Sequence, residues 1–152
     1  MGRSRLPRLG GLHLNRAKFQ KLAEMRIADA QSLFQAGRYE GAYYLAGYAV
    51  ECAIKACIAK LVRRHDFPPE REIVSKIYVH DIEKLIGVAG LKNEWENEQK
   101  ANAVFRLHCR VVKEWSEQRR YSVKVSEKTA RDMVVAVSAH KDGVLAWLKK
   151  YW

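Results

Sequence analysis

The chain has 152 residues, 48% of them hydrophobic, with three prolines and three cysteines, and a formal charge of +11 from 28 basic and 17 acidic side chains. That length suits one domain with a real core and is short for two. The cysteines form neither a disulfide framework nor a zinc spacing, and no apolar run approaches the roughly 20 uncharged residues of a membrane span.

Arg3, Arg5 and Arg8 are not followed by the apolar stretch of a secretion signal, so the expectation is a soluble, cytoplasmic protein without metal or cofactor. Cys52, Cys57 and Cys109 are then small, buried, reduced residues. The positive charge admits a polyanionic partner such as RNA, a nucleotide or an acidic protein, although helix ends and a solvated tail account for part of it.

Residues 1–14, with Pro7 and Gly10-Gly11, read as a basic, poorly ordered tail, and 15–152 as a helical domain. Asn15 is a candidate N-cap, after which Phe19, Leu22, Ala23, Ile27, Ala30, Leu33 and Phe34 form one apolar face. Gly37 stops this helix. A second starts near Arg38 or Tyr39 and runs to about Arg63 or Arg64, which predicts an antiparallel hairpin. Asp66-Phe67-Pro68-Pro69 breaks the pattern, and the stretch to Val79 reads as loop with a short helical turn.

Asp81 caps a third helix holding Ile82, Leu85 and Ile86 and ended by Gly90. A fourth spans about Asn93 to Trp115, lined by Ala101, Val104, Phe105, His108, Val111, Val112 and Trp115. Beyond an exit at Gln118 to Tyr121, Ser126 caps a last helix carrying Met133, Val137, His140, Val144, Trp147, Leu148 and Tyr151. No strand pair with hairpin chemistry is present. The fold class is therefore all-α, an up-and-down antiparallel bundle of about five helices.

The stretch GRYEGAYYLAGYAVECAIKACIAKL, residues 37–61, is apolar nearly all round, as the centre of a bundle requires. Yet Glu40, Tyr44, Tyr48, Glu51 and Lys55 fall within about one quadrant of that helix at roughly 100° per residue. Unpaired buried charge is costly, so Glu51 and Lys55 must meet each other, a cavity, a partner or a ligand. One reading is a structural ion pair at a groove or dimer seam. In the other, Lys55 meets a phosphate while Glu51 orients it or binds a base or ribose hydroxyl, with Tyr44 and Tyr48 adding aromatic faces and hydroxyls.

His80, beside Asp81 and one turn before Lys84, is either an acid or base at a phosphate-holding helix start or an ordinary loop residue. His108 and His140 lie on apolar lines and read as hydrogen-bonded core residues; His65 belongs to a solvated basic end. In WSEQRRY, Arg119, Arg120 and Tyr121 form a clamp for phosphate and base, or Trp115 and Tyr121 pack while the arginines face water. Metal-ligand spacing, a nucleophile elbow and a Gly-rich phosphate loop are all missing. Gly37, Gly41 and Gly47 permit close helix packing or the approach of a ligand.

Three pieces, GRYEGAYYLAGYAVECAIKA, HDIEKL after a loop, and a tryptophan followed by RRY, together resemble the HEPN family, the higher eukaryotes and prokaryotes nucleotide-binding domain, from about Ala17 to Tyr151. The resemblance implies a helical bundle similar to the substrate-binding domain of nucleotidyltransferases. It also implies a homodimer and a separate minimal nucleotidyltransferase as partner, in a toxin-antitoxin-like pair. Many members are metal-independent ribonucleases marked by an arginine followed, within a narrow range of short spacings, by a histidine late in the bundle. Here Arg106 and His108 are too close, Arg131 and His140 too far apart, and Arg8 and His13 lie in the tail.

The expectation is thus a nucleotide-binding module, leaning away from an enzyme, with Tyr44, Tyr48, Glu51, Lys55, His80, Lys84, Arg119, Arg120 and Tyr121 as its ligand-binding residues. The alternatives are a metal-independent ribonuclease using His80 or His108, and a non-catalytic dimeric interaction protein.

Overall fold

The computed structural model describes residues 15–65, 80–115 and 124–152, with residues 63–65 described by backbone alone. Helix α1, Arg16–Gln35, starts where the Asn15 side chain accepts the Lys18 N–H, and it buries Ala23, Ile27 and Ala30 along one line. Small residues on that line let a neighbouring backbone approach closely. The helix ends at Gly37, whose φ of 75° favours glycine, while the Arg38 N–H reaches back to the Leu33 carbonyl at 2.8 Å. Helix α2, Tyr39–His65, then packs back along α1 as the expected hairpin, closed by the Phe34 and Tyr39 rings at 5.6 Å.

α2 is the spine of the molecule. Ala42, Ala46, Ala49, Val50, Ala53, Ile54 and Ala56 are all buried, because helices lie against it on several sides. Helix α3, Ile82–Val88, begins where the Asp81 carboxylate accepts the Lys84 N–H, and Gly90 with a φ of 72° turns the chain after it. Helices α4, Lys92–Ala101, and α5, Ala103–Lys113, follow, then α6, Glu127–Ser138, capped by Ser126, and the short α7, Val144–Leu148. α2 contacts α3, α6 and α7 as well as α1. Arg16 donates to the Trp152 carbonyl at 2.6 Å, fastening the last residues to the start of α1.

Two helices expected to be continuous are broken. The expected helix from Asn93 to Trp115 divides at Asn102, where the backbone is extended and the side chain accepts the Phe105 N–H while its amide donates to Asp142 at 2.8 Å. Local side-chain capping wins there over continuation. The break lets Trp95 and Phe105 both turn inward, 5.5 Å apart edge to face, with Trp147 against each.

The expected last helix also divides. Ala139 leaves helical geometry and Gly143 restarts the chain at a point where a Cβ would overlap the Ala139 carbonyl oxygen. His140 is consequently exposed in the turn and takes no place in the core. His108 is half-buried and donates from Nδ1 to the Asp142 carbonyl at 2.8 Å, bonded as expected but to a turn.

The described residues therefore form seven helices, where about five were expected, and no strand. Apolar periodicity did not reveal these breaks because both halves of each broken helix bury the same side. No helix among the described residues is long and apolar enough to cross a membrane. The tail at 1–14, the expected loop from Asp66 to Val79, the side chains of Arg63, Arg64 and His65, and the exit carrying Arg119, Arg120 and Tyr121 lie outside the described residues.

Candidate functional site

Glu51 is the one buried charged residue among the described residues, 1% exposed in the middle of α2. Its Oε1 receives two donors. Lys55 Nζ, one turn along the same helix, lies at 2.9 Å, and His80 Nδ1, from the residue before the α3 cap, lies at 2.7 Å. The side chains of Lys55 and His80 are 14% and 38% exposed, so the cluster grades from a sealed carboxylate to a wet, cationic rim. An ionised carboxylate only accepts, so the imidazole carries a proton on Nδ1 toward Glu51; Nε2 is an acceptor in the neutral ring and becomes a second donor, able to meet an anion, in the protonated ring. Asp81, by capping α3, sets the backbone from which His80 reaches back to α2.

Next to these charges on the same α2 stripe stand Tyr48 and Tyr44, whose rings are parallel at 6.2 Å between centroids. Tyr44 in turn lies 5.9 Å from the ring of Trp115. Trp115 is 3% exposed and rests on α2 at Gly47, where a Cβ would overlap Cγ, Cδ1 and Nε1 of the indole. Gly47 is what admits the ring. The indole N–H is buried without a hydrogen-bond partner among the described residues.

Burial pushes the Tyr48 hydroxyl up to about 12, with neighbouring Cys52 adding to the shift, so Tyr48 remains a protonated donor at any ordinary pH. Burial likewise raises the Cys52 thiol to about 11, the Glu51 charge contributing second, and the Cys57 thiol to about 11. Cys109 is raised further by burial. None of the three is a thiolate nucleophile near neutral pH. Glu40, first on the polar line, accepts the Val125 N–H at 3.2 Å; the hydrogen bond from its own backbone, and then that from Val125, hold its carboxyl below the usual range. It ties the segment before α6 to α2.

Of the residues expected at a site, Tyr44, Tyr48, Glu51, Lys55 and His80 come together. Lys84 is exposed on the first turn of α3 and makes no described contact with them. Arg119, Arg120 and Tyr121 lie outside the described residues. Trp115 is the residue that sequence reasoning placed in the core without connecting it to the tyrosines. The available signal was Gly47, which falls on the same stripe as Tyr44, Tyr48 and Glu51 and leaves a gap there for a large ring.

A shallow groove of about 380 Å³ between α1 and α6, lined by Gln31, Phe34, Gln35, Arg131, Val134 and Val135, shares no residue with this cluster. No group of three or more His, Cys, Asp or Glu side chains suited to a metal occurs among the described residues. The side-chain cluster therefore offers fixed donors, a positioned imidazole and aromatic surface.

No curated protein and no solved structure matches this chain. A family model does: the HEPN domain model matches residues 18–150, which spans every described helix from the first turns of α1 through α7. With an all-helical fold and a match over most of its length, the chain belongs to the HEPN domain family.

Proposed function

We propose that this HEPN domain binds a nucleotide, with Lys55 and His80 receiving its phosphate and Glu51 holding both in place. The observation that carries this reading is the single Glu51 oxygen shared by two donors from separate elements, beneath a rim where both are partly exposed. A buried carboxylate is costly unless compensated, and here compensation fixes two phosphate-binding groups side by side. Lys84, Arg119 and Arg120 add positive charge, and Tyr44, Tyr48 and Tyr121 supply stacking and hydroxyl contacts. The overall charge of +11 favours anionic ligands, RNA included.

Titration calorimetry with a panel of nucleotides tests the proposal. Binding that Lys55→Ala weakens by about tenfold or more is the expected result. Failure to bind at millimolar ligand, with the helical spectrum intact, overturns it.

One observation favours a second, enzymatic reading. The hydrogen bond to Glu51 fixes the His80 tautomer, as a general acid or base requires, so His80 is the better candidate for a metal-independent ribonuclease. His108 is engaged by the Asp142 carbonyl. RNA cleavage in EDTA that His80→Ala abolishes would establish that reading.

In a cytoplasmic setting, the proposed partners are a second copy of the chain and a separate minimal nucleotidyltransferase, as in a toxin-antitoxin-like pair. Val104 and Leu107, large apolar side chains exposed on α5, support a protein partner of either kind.

A further inference from the structure

Trp115 presents an anomaly that packing alone leaves standing. Its indole is 3% exposed, and its Nε1–H is buried with no acceptor among the described residues. Buried donors are nearly always paired, and one left unpaired is destabilising. Had the position served only to fill space, phenylalanine would do so without an orphaned donor. The ring is also placed with unusual closeness to α2, since it rests where any side chain at residue 47 would collide with Nε1 itself.

Gly47 lies on the stripe that carries Tyr44, Tyr48, Glu51 and Lys55. It stands one turn before Glu51 and two before Lys55, roughly 6 and 12 Å along the helix axis. That is the scale of the separation between base and phosphate within one nucleotide. The parallel rings of Tyr44 and Tyr48, both half-buried, flank Gly47 on this stripe, and Tyr44 is in ring contact with the indole. The stripe thus brings together an unused N–H donor, an aromatic surface on either side of it and, one to two turns on, a pair of phosphate-binding groups.

We infer that Trp115 Nε1–H is a base-recognition donor, pairing with an acceptor on the nucleobase of a nucleotide whose phosphate lies at Lys55 and His80. Tyr44, in ring contact with the indole and half-exposed, is the side chain whose rotation admits the base edge. This rests on the nucleotide-binding reading above and adds the direction in which the ligand lies. It also makes Trp115 a specificity-determining residue, because adenine, guanine, cytosine and uracil present their acceptors at different places to one fixed donor.

The test is NMR of the full chain labelled with ¹⁵N. Its four tryptophans give four indole N–H signals, and the signal lost in Trp115→Phe identifies the one of interest. Titration with AMP, GMP, CMP and UMP, and with pyrophosphate as a probe that has phosphate and no base, separates the two ideas. The expected result is that the Trp115 signal moves downfield with at least one nucleotide and stays in place with pyrophosphate. Trp115→Phe then weakens that nucleotide roughly five- to tenfold and leaves pyrophosphate binding unchanged.

If nucleotides bind in a Lys55-dependent way and the Trp115 signal does not move, the base-recognition role is wrong while phosphate binding stands. If neither nucleotides nor pyrophosphate bind at millimolar concentration, both readings fall. The Trp115 signal is also assigned on the native chain from its through-space contacts to the Tyr44 ring, so the titration holds even if Trp115→Phe does not fold.

Discussion

Glu51 is all but sealed from water and accepts both Lys55 and His80 on one oxygen, so its removal leaves two donors facing a cavity. Glu51→Ala is expected to cost about 3 kcal/mol in urea unfolding at neutral pH, the range for breaking a buried ion pair. Glu51→Gln keeps an accepting oxygen and should cost markedly less. A loss under about 0.5 kcal/mol for the alanine variant would show that the pair contributes nothing to the fold. Gly47 makes a second residue-scale case. Three atoms of a rigid indole occupy the space of its missing Cβ, and the ring, pressed among α2 and Tyr44, has little room to retreat. Gly47→Ala is therefore expected to destabilise by about 2 kcal/mol or more despite the better helix propensity of alanine, read as a lowered thermal midpoint.

Among the elements, the starts of α1, α3 and α6 were legible because each is written locally. Asn15, Asp81 and Ser126 accept a backbone N–H three residues on, a contact that needs no partner from elsewhere in the chain. The division between α4 and α5 was not legible, although Asn102 does the same for Phe105. Its flanks share one apolar period, and what tips the balance is a distant acceptor, Asp142, on the turn before α7. Asn102→Ala removes the cap and that link together, and is expected to cost about 1 to 2 kcal/mol by chemical unfolding. Should α4 and α5 fuse into one helix, helical content would rise in the circular dichroism spectrum and Trp95 would lose its contact with Phe105.

At the scale of the molecule, burial leaves a pH signature. Tyr48, Cys52 and Cys57 are raised from 10.0, 9.0 and 9.0 to about 12, 11 and 11 in the fold, so the native state keeps protons that the unfolded chain releases. Their contribution is fully present below the unfolded values near pH 9 and is lost as pH climbs through the folded ones. The urea midpoint is expected to vary little from these groups between about pH 7 and 8.5 and to fall between about pH 9 and 11. A flat midpoint over the alkaline range would mean that these groups are solvated in the native state. Net charge supplies the other whole-molecule prediction. With +11 distributed over 152 residues, nucleotide binding at Lys55 and His80 should weaken steadily from about 50 to 500 mM salt, whereas a contact made mainly by apolar stacking would not.

Family, helical class, hairpin and three helix caps could be read from the residues in order, because they depend on periodicity and on contacts within a turn. The polar stripe of α2 could be read as well, since a fixed rotation per residue puts Tyr44, Tyr48, Glu51 and Lys55 on one side. Its meaning could not. The convergence of His80 on Glu51 joins residues 29 positions apart, and Trp115 reaches Gly47 from a different helix exit. Such contacts arise from how helices pack, and packing depends on volumes summed over many elements. Spacing along the chain announced a buried charge and the ammonium one turn from it; the folded arrangement supplied the imidazole at Glu51 and set the tryptophan on Gly47.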